Sequence, residues 1–233
     1  MVNAVAGGGT LITFPTLVGL GVPAVDANVT NTVSLLPGYC AGTFAQRADL
    51  QPQISRSRRL GLAGALGGLA GSVLLLAIPG HAFRVAVPYL IVVSCLLLLL
   101  QDRVRALAFP DVARDGSHPS ALTVLVFLAS IYGGFFGAGL GIMLLAVLGL
   151  ASADPLAKVN ALKQWLSFVV NLVAAAFFAF SGHVVWVAVA VMAVCSLIGG
   201  FAGGRLVPVI PETALRRVVV VAGLAVAISF WVA

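Results

Sequence analysis

Five polar residues recur at every third or fourth position within one apolar stretch of the chain. This spacing lays them along one face of a helix over about residues 157–180. They are Asn160, Lys163, Gln164, Ser167 and Asn171. A lysine within a membrane segment normally faces a cavity, a partner or a transport pathway, so Lys163 is a candidate to attract an anion, with Asn160 and Gln164 as neutral hydrogen-bond donors. The alternative is that Lys163 extends to the membrane surface, like Lys158.

A second group of small polar residues stands in the first half of the chain, within "DANVTNTVSLLPGY". Thr30, Asn31 and Thr32 carry hydroxyl and amide groups that could donate hydrogen bonds to an oxyanion. The same groups could instead join neighbouring helices, as polar side chains do in membranes. Both interpretations remain open from the sequence.

Two glycine clusters could supply backbone donors to the same anion. Glycine lets a helix break at membrane depth, and the exposed amides at the broken end, with the positive end of the helix dipole, form an anion site. The clusters are "GGGT", which holds Gly7, Gly8, Gly9 and Thr10, and "GGFFGAGLG", which holds Gly137, Gly139 and Gly141. Close helix packing is the alternative use of glycine, and it is the one expected for "GGLAGS" at 67–72.

The composition indicates that these groups lie in a membrane protein. Hydrophobic residues form 61% of the 233 and charged residues only 9%, and the mean hydropathy is +1.13, which excludes an ordinary soluble domain. The apolar blocks are about twenty residues long, the length of a membrane-crossing helix. We therefore expect an all-α integral membrane protein, a polytopic helical bundle with about 7–8 membrane segments. The predicted spans are 5–21, 25–45, 59–78, 83–100, 121–151, 157–180, 184–204 and 213–232.

The two halves of the chain resemble one another. A shift of about 130 residues superimposes the two glycine clusters and the apolar runs that follow them. This predicts a first repeat at 1–100, a cytoplasmic linker at 101–120 and a second repeat at 121–233, each repeat with a glycine-broken helix or re-entrant segment. The apolar residues 121–136 have no counterpart before Gly7, so the N-terminal half-helix of the first repeat is expected to be missing or to lie upstream of this start.

The arginines predict the orientation in the membrane. The net charge of +6 comes from basic residues between apolar blocks, which places the loop with Arg47, Arg56, Arg58 and Arg59 in the cytoplasm. Residues 121–151 would form a helix of roughly 46 Å, too long for one ordinary crossing. A re-entrant pair broken at "GGFFGAGLG" fits better, keeps the later arginines inside and inverts the second repeat. One long tilted helix with parallel repeats is the alternative.

The sequence offers no spacing that suggests an enzyme, a metal site or a bound cofactor. Metal ligation needs convergent ligands, and a serine nucleophile needs a base. His81, His118 and His183 are predicted in three separate loops, and Asp26, Asp154 and Glu212 at helix ends, where capping is expected.

The glycine-rich start "TLITFPTLVGLGVPAVDANVTNTVSLLPGYCAG" and its second copy "GAGLGIMLLAVLGLASADPLAKVNALKQWLSFVVNLVAA" resemble the TauE/SafE family of sulfite and organosulfur anion exporters. The resemblance covers nearly the whole chain. In that family a glycine cluster leads to a proline, a turn and a short hydroxyl motif, matched here by Gly7 to Gly9, Pro15 and Thr30 to Thr32. The second motif often ends in lysine, as "VNALK" does at Lys163.

The resemblance implies a permease of a bacterial inner (plasma) membrane that exports a small anion such as sulfite, a sulfonate or a related sulfur compound. The implied partners are this substrate, the lipid bilayer and a coupling proton; a homo-oligomer is allowed, and no nucleic acid is expected. The alternative function is a non-transporting membrane partner or assembly protein. The short loops, which leave no room for a docking domain, favour transport.

Overall fold

The computed structural model describes residues 9–100, 102–103, 119–150, 154–206, 219–225, 227–228 and 230. Gly7, Gly8, His118, Glu212 and most of the predicted linker lie outside these residues. The described part is all-helical, as the sequence predicts. Its helices are α1 (Thr10–Gly19), α2 (Ala24–Ala45), α3 (Arg47–Leu50), a 3-10 turn (Gln51–Gln53), α4 (Ile54–Ala77), α5 (Gly80–Leu99), α6 (Pro119–Phe135), α7 (Leu140–Leu150), α8 (Leu156–Ala179) and α9 (Trp186–Leu206).

Three helical segments of the described part are long and apolar enough to cross a membrane. These are Arg47–Ala77, Gly80–Leu99 and Leu156–Ala179. Four shorter apolar helices accompany them, at Thr10–Gly19, Ser120–Phe135, Leu140–Gly149 and Trp186–Gly199. The many exposed leucines and valines along α4, α5 and α9 suit contact with lipid tails.

Contacts at the two ends of the bundle fix the helix directions. Helix α2 runs antiparallel to α8, because Gln46 at its end accepts a hydrogen bond from Asn160 (2.9 Å), while Asp26 near its start contacts His183 beyond α8. Helix α4 runs parallel to α8, since the Gln53 side chain donates to Lys158 O. We call these two regions the Asp26 end and the Asp154 end.

Glycines on α4 allow unusually close helix packing. A Cβ added to Gly67 would lie 2.4 Å from Phe127 O, and one added to Gly71 would lie 2.0 Å from Ile131 O. On the other side, a Cβ on Gly68 would lie 3.1 Å from Val170 O. The "GGLAGS" run therefore packs α4 against α6 and α8, as expected from the sequence.

The apolar stretch predicted to be broken is two helices. Helix α6 ends at Phe135 and α7 begins at Leu140, and between them Gly137 and Gly139 have φ of 77° and 80°. That backbone region favours glycine strongly over residues with a side chain, which explains why the break falls at this glycine cluster. The break within "GGFFGAGLG" is confirmed.

Helices α6 and α7 fold back on each other. Leu122 near the start of α6 and Leu148 near the end of α7 belong to one buried cluster with Leu60 and Val159. Both outer ends of the pair thus lie toward the Asp154 end, and the Gly137 turn lies deep in the bundle. Helix α1 runs the other way, because Val18 near its end and Asp26 line one cavity at the Asp26 end.

Asp26 and Asp154, which the sequence predicts as helix caps, both have ion-pairing partners from other parts of the fold. The N-caps of α2 and α8 are Pro23 and Pro155, without a side-chain cap hydrogen bond. Asp26 instead contacts His183, and Asp154 contacts Arg56. A charged partner brought in by the tertiary fold competes with the local backbone N–H groups for these carboxylates.

Candidate functional site

The start of α1 carries a buried hydrogen-bonded group. Asn31 on α2 accepts a hydrogen bond from Thr13 Oγ1 through Oδ1, and its Nδ2 donates to Thr10 Oγ1 (3.3 Å). Gly9 O accepts from the Thr13 amide (3.1 Å) and hydroxyl (3.0 Å). Thr10 and Asn31 are buried. Asn31 thereby holds the glycine-rich start of α1 against the middle of α2, and Thr13 is a member that sequence reasoning missed.

The α6–α7 break is held by side chains from two other helices and by Tyr132 of α6 itself. Asn28 on α2 donates to Phe135 O (2.9 Å), and both Ser94 on α5 (3.1 Å) and Tyr132 (2.7 Å) donate to Ala138 O. The Gly137 amide donates to Tyr132 O (3.2 Å), so in this conformation it caps α6. The carbonyl groups freed by the break are thus satisfied inside the protein, as membrane depth requires.

Lys163 lies beside the first turn of α7. A Cβ built on Gly141 would be 3.9 Å from Lys163 Cδ, so the lysine stem runs along the glycine that opens this helix. Gly139, with its positive φ, precedes the same turn. A helix N-terminus and a lysine that lie together produce positive potential from two sources.

Helix α1 and the α6–α7 break share one buried apolar cluster in the bundle core. The rings of Phe14 on α1 and Phe136 in the break are in edge contact, with centroids 5.5 Å apart and planes at 80°. Leu11, Ala138 and Ile142 belong to the same buried cluster. The fold thus brings the described part of the first cluster, Gly9 and Thr10, close to the second, which holds Gly137, Gly139 and Gly141.

The remaining predicted site residues lie on other contacts. Thr30 accepts a hydrogen bond from the Val185 amide (3.0 Å), and Thr32 donates to Asn28 O in its own helix (3.0 Å). Asn160 binds Gln46, and the Gln164 side chain reaches Tyr39 O (3.4 Å). The polar face of α8 therefore contacts two neighbouring helices, because Asn160 and Gln164 point to α2 whereas Lys163 points to α7.

A cavity at the Asp26 end brings together ionisable side chains that lie far apart in the sequence. Asp26, His81, Arg84 and His183 line it together. His81 and His183 were predicted in separate loops without a common role, yet His81 belongs to the first turn of α5 and His183 follows α8. No spacing in the sequence signals this, because Asp26 and His183 are 157 positions apart.

The family model described as "Sulfite exporter TauE/SafE" matches residues 1–230 of the chain. The chain belongs to the TauE/SafE family. The predicted resemblance is confirmed, and the protein is a multi-pass membrane transporter. Membership of this family implies a small anionic substrate and contact with membrane lipid, and it argues against the assembly-protein alternative.

Curated relatives of this TauE/SafE protein carry transporter names. One is "Probable membrane transporter protein ORF9" of Sinorhizobium sp, 26% identical over 97% of this chain and 86% of the relative. Another is "Probable membrane transporter protein" of Haemophilus influenzae, 28% identical over 94% and 85%. A third is "Probable membrane transporter protein YfcA" of Escherichia coli K12, 26% identical over 94% and 81%. No solved structure matches the chain significantly.

Proposed function

We propose that this protein is a secondary transporter that exports a small anion, namely sulfite, a sulfonate or a related sulfur oxyanion, across a bacterial inner membrane. The observation that carries the proposal is the position of Lys163 beside Gly141 at the start of α7. A fixed cation and a helix N-terminus at the inner turn of a folded-back helix pair form an environment that favours an oxyanion over a neutral or cationic solute.

The neighbouring polar groups would complete this central site. Asn31 and Thr10 stand at the other glycine-rich start, and the Phe14–Phe136 contact brings that start to the α6–α7 break. In the proposed site the amides of Gly9, Gly139 and Gly141 and the side chains of Thr10, Asn31 and Lys163 contact the anion. Asn31, Lys163, Thr30, Thr32, Asn160 and Gln164 all make contacts within the protein, and binding of the anion requires these contacts to rearrange during the transport cycle.

The helix order supports an inverted repeat, with residues 1–100 and 121–233 as its halves. Helices α1 and α7 are short and follow glycine clusters, and α2 and α8 are the long helices that come next. Helix α1 leads to the Asp26 end and α7 leads to the Asp154 end. Rocking of one half against the other would then expose the central site alternately to the two faces of the membrane.

Flux of radiolabelled sulfite through proteoliposomes tests this function. We expect the wild-type protein to carry sulfite when a proton gradient or membrane potential is imposed, and Lys163→Ala to lower the rate by about tenfold or more, the loss of one charge-assisted contact. Lys158→Ala is the matched control, because it removes a lysine from the first turn of the same helix. Equal rates in Lys163→Ala and wild type would refute the role of Lys163. No flux of sulfite or sulfonates by folded wild-type protein would refute the proposal.

A further inference from the structure

The cavity at the Asp26 end is a second feature that could hold a ligand. It has a volume of about 780 Å³ and is enclosed by the end of α1, the α1–α2 turn, the end of α4, the start of α5 and the segment before α9. Cavities of this size hold small organic ligands. Its walls are mainly apolar, including Val18, Val22, Leu75 and Phe230.

The charged groups of the cavity include an arginine without a nearby carboxylate. Among the described lining residues the titratable or charged side chains are Asp26 on α2, His81 and Arg84 on α5, and His183 before α9. The carboxylate, Asp26 Oδ1, lies 2.6 Å from His183 Nδ1. Within the described residues no acidic side chain is within ion-pairing distance of Arg84 or His81. Among the described residues Arg84 therefore has no acidic partner, and its positive charge formally balances the negative charge of Asp26.

Helix ends of both polarities border the cavity. Helices α2 and α5 both begin at this cavity, and a Cβ on Gly80 would lie 4.0 Å from Val25 Cγ2, so the two helix starts touch. Their N-caps, Pro23 and Pro79, make no side-chain cap hydrogen bond. The positive ends of these two helix dipoles face the negative ends of α1 and α4, which also border the cavity, so Arg84 is the group that attracts an anion.

We propose that this cavity is an outer anion-binding vestibule, in which Arg84 and His81 hold a small sulfonate or similar oxyanion at a site distinct from Lys163. Arg47, Arg56, Arg58 and Arg59 lie toward the opposite, Asp154 end, which the distribution of basic residues assigns to the cytoplasm. The vestibule therefore faces outward. Its role in transport rests on the proposed function, whereas anion binding in it does not.

Isothermal titration calorimetry of the full-length protein with sodium methanesulfonate tests the vestibule. The titrations use the Lys163→Ala background, which removes the central site. We expect saturable binding that is at least about tenfold weaker in Arg84→Gln. Arg84→Lys should retain most of the affinity, because it keeps the charge.

Two further variants separate the charge argument from a folding defect. Arg58→Gln is the matched control, since it removes an exposed arginine from the opposite end, and its affinity should equal that of the parent. Asp26→Asn removes the carboxylate of the cavity, so the affinity should rise or stay the same even if the stability falls. Loss of binding in Asp26→Asn, or unchanged binding in folded Arg84→Gln, would overturn the vestibule. If Arg84→Gln does not fold, Arg84→Lys takes its place in the test. A loss of affinity in Arg84→Lys as large as that in His81→Gln would then also count against the vestibule.

Failure of the vestibule and failure of the proposed function give different results. Normal sulfite flux with no Lys163-independent binding of methanesulfonate would overturn the vestibule and leave transport intact. Binding that depends on Arg84, without sulfite or sulfonate flux by the wild type, would overturn the proposed transport and keep the vestibule.

Discussion

Arg56 Nη1 lies 2.5 Å from Asp154 Oδ2, and this ion pair joins the first turn of α4 to the residue that precedes the N-cap of α8. At the opposite end of the bundle, His183 just before α9 contacts Asp26 in the first turn of α2. Each half of the chain thus supplies a carboxylate at one helix start and a basic partner at another. Each end of the bundle is therefore held by one contact between an acidic and a basic side chain.

The Arg56–Asp154 pair is expected to add little stability on its own. Both side chains are partly exposed, 23% and 34%, and ion pairs in such settings are worth roughly 0.2–1 kcal/mol. Arg56→Ala and Asp154→Ala should each lower the melting temperature of the solubilised protein slightly, and the double variant should cost less than the sum. A double-mutant cycle by thermal unfolding measures the coupling, and strictly additive effects would show that the pair contributes nothing.

Gly71→Ala should be far more damaging than its size suggests. The added Cβ would lie 2.0 Å from Ile131 O and 2.8 Å from Phe135 N, and backbone atoms cannot rotate away. The α4–α6 contact must open, which we expect to cost about 1–3 kcal/mol. Gly19→Ala is the control, because nothing lies within 4 Å of its Cβ position. Thermal unfolding in detergent should show a lower midpoint for Gly71→Ala only, and equal midpoints would contradict the packing assigned to α4.

Much of the fold could be predicted from the apolar pattern. The predicted spans 25–45 and 157–180 correspond to Ala24–Ala45 and Leu156–Ala179, since Pro23 and Pro155 mark their starts. The predicted span 59–78 begins five residues late, because α4 starts at Ile54 and includes Arg56, Arg58 and Arg59. Helical hydrogen bonding continues beyond the apolar core, where arginines reach water.

The candidate site could be predicted only where its parts are local in sequence. The glycine break and Lys163 follow from patterns within a few residues. The orientation of Asn160 and Gln164 toward α2, and of Lys163 toward α7, depends on which helices lie next to α8. Likewise, His183 and Asp26 meet only because α2 and α8 run antiparallel. Single-sequence periodicity identifies a helix face but not its neighbours.

Gly139→Ala and Gly141→Ala should differ sharply although two residues separate them. Gly139 has φ of 80° and only ordinary contacts around its Cβ position, the nearest at 3.5 Å. Its substitution should cost about 1–2 kcal/mol, because an alanine is strained in this left-handed conformation. Gly141→Ala has no such strain and should leave the stability nearly unchanged. Thermal unfolding of both variants compares them, and equal losses would show that the turn does not depend on the φ of Gly139.

Asn28 links the α6–α7 break to α2. It is 1% exposed, its Nδ2 donates to Phe135 O (2.9 Å), and its Oδ1 is buried without a hydrogen-bond donor among the described residues. Asn28→Leu removes the donor from the last carbonyl of α6 and should destabilise the protein by about 1–3 kcal/mol. The α6–α7 turn would lose its link to α2.

Asn28→Asp tests the donor and the acceptor of this amide separately. It keeps an acceptor at Oδ1 but places a second oxygen against Phe135 O, so we expect instability near neutral pH and recovery in acid, when a protonated carboxyl can donate to that carbonyl. Asn28→Leu has no titrating group and should show no such recovery. Thermal unfolding at about pH 5 and 8 distinguishes the variants. A pH-independent Asn28→Asp protein as stable as the wild type would mean that the Asn28–Phe135 hydrogen bond does not hold the break in place.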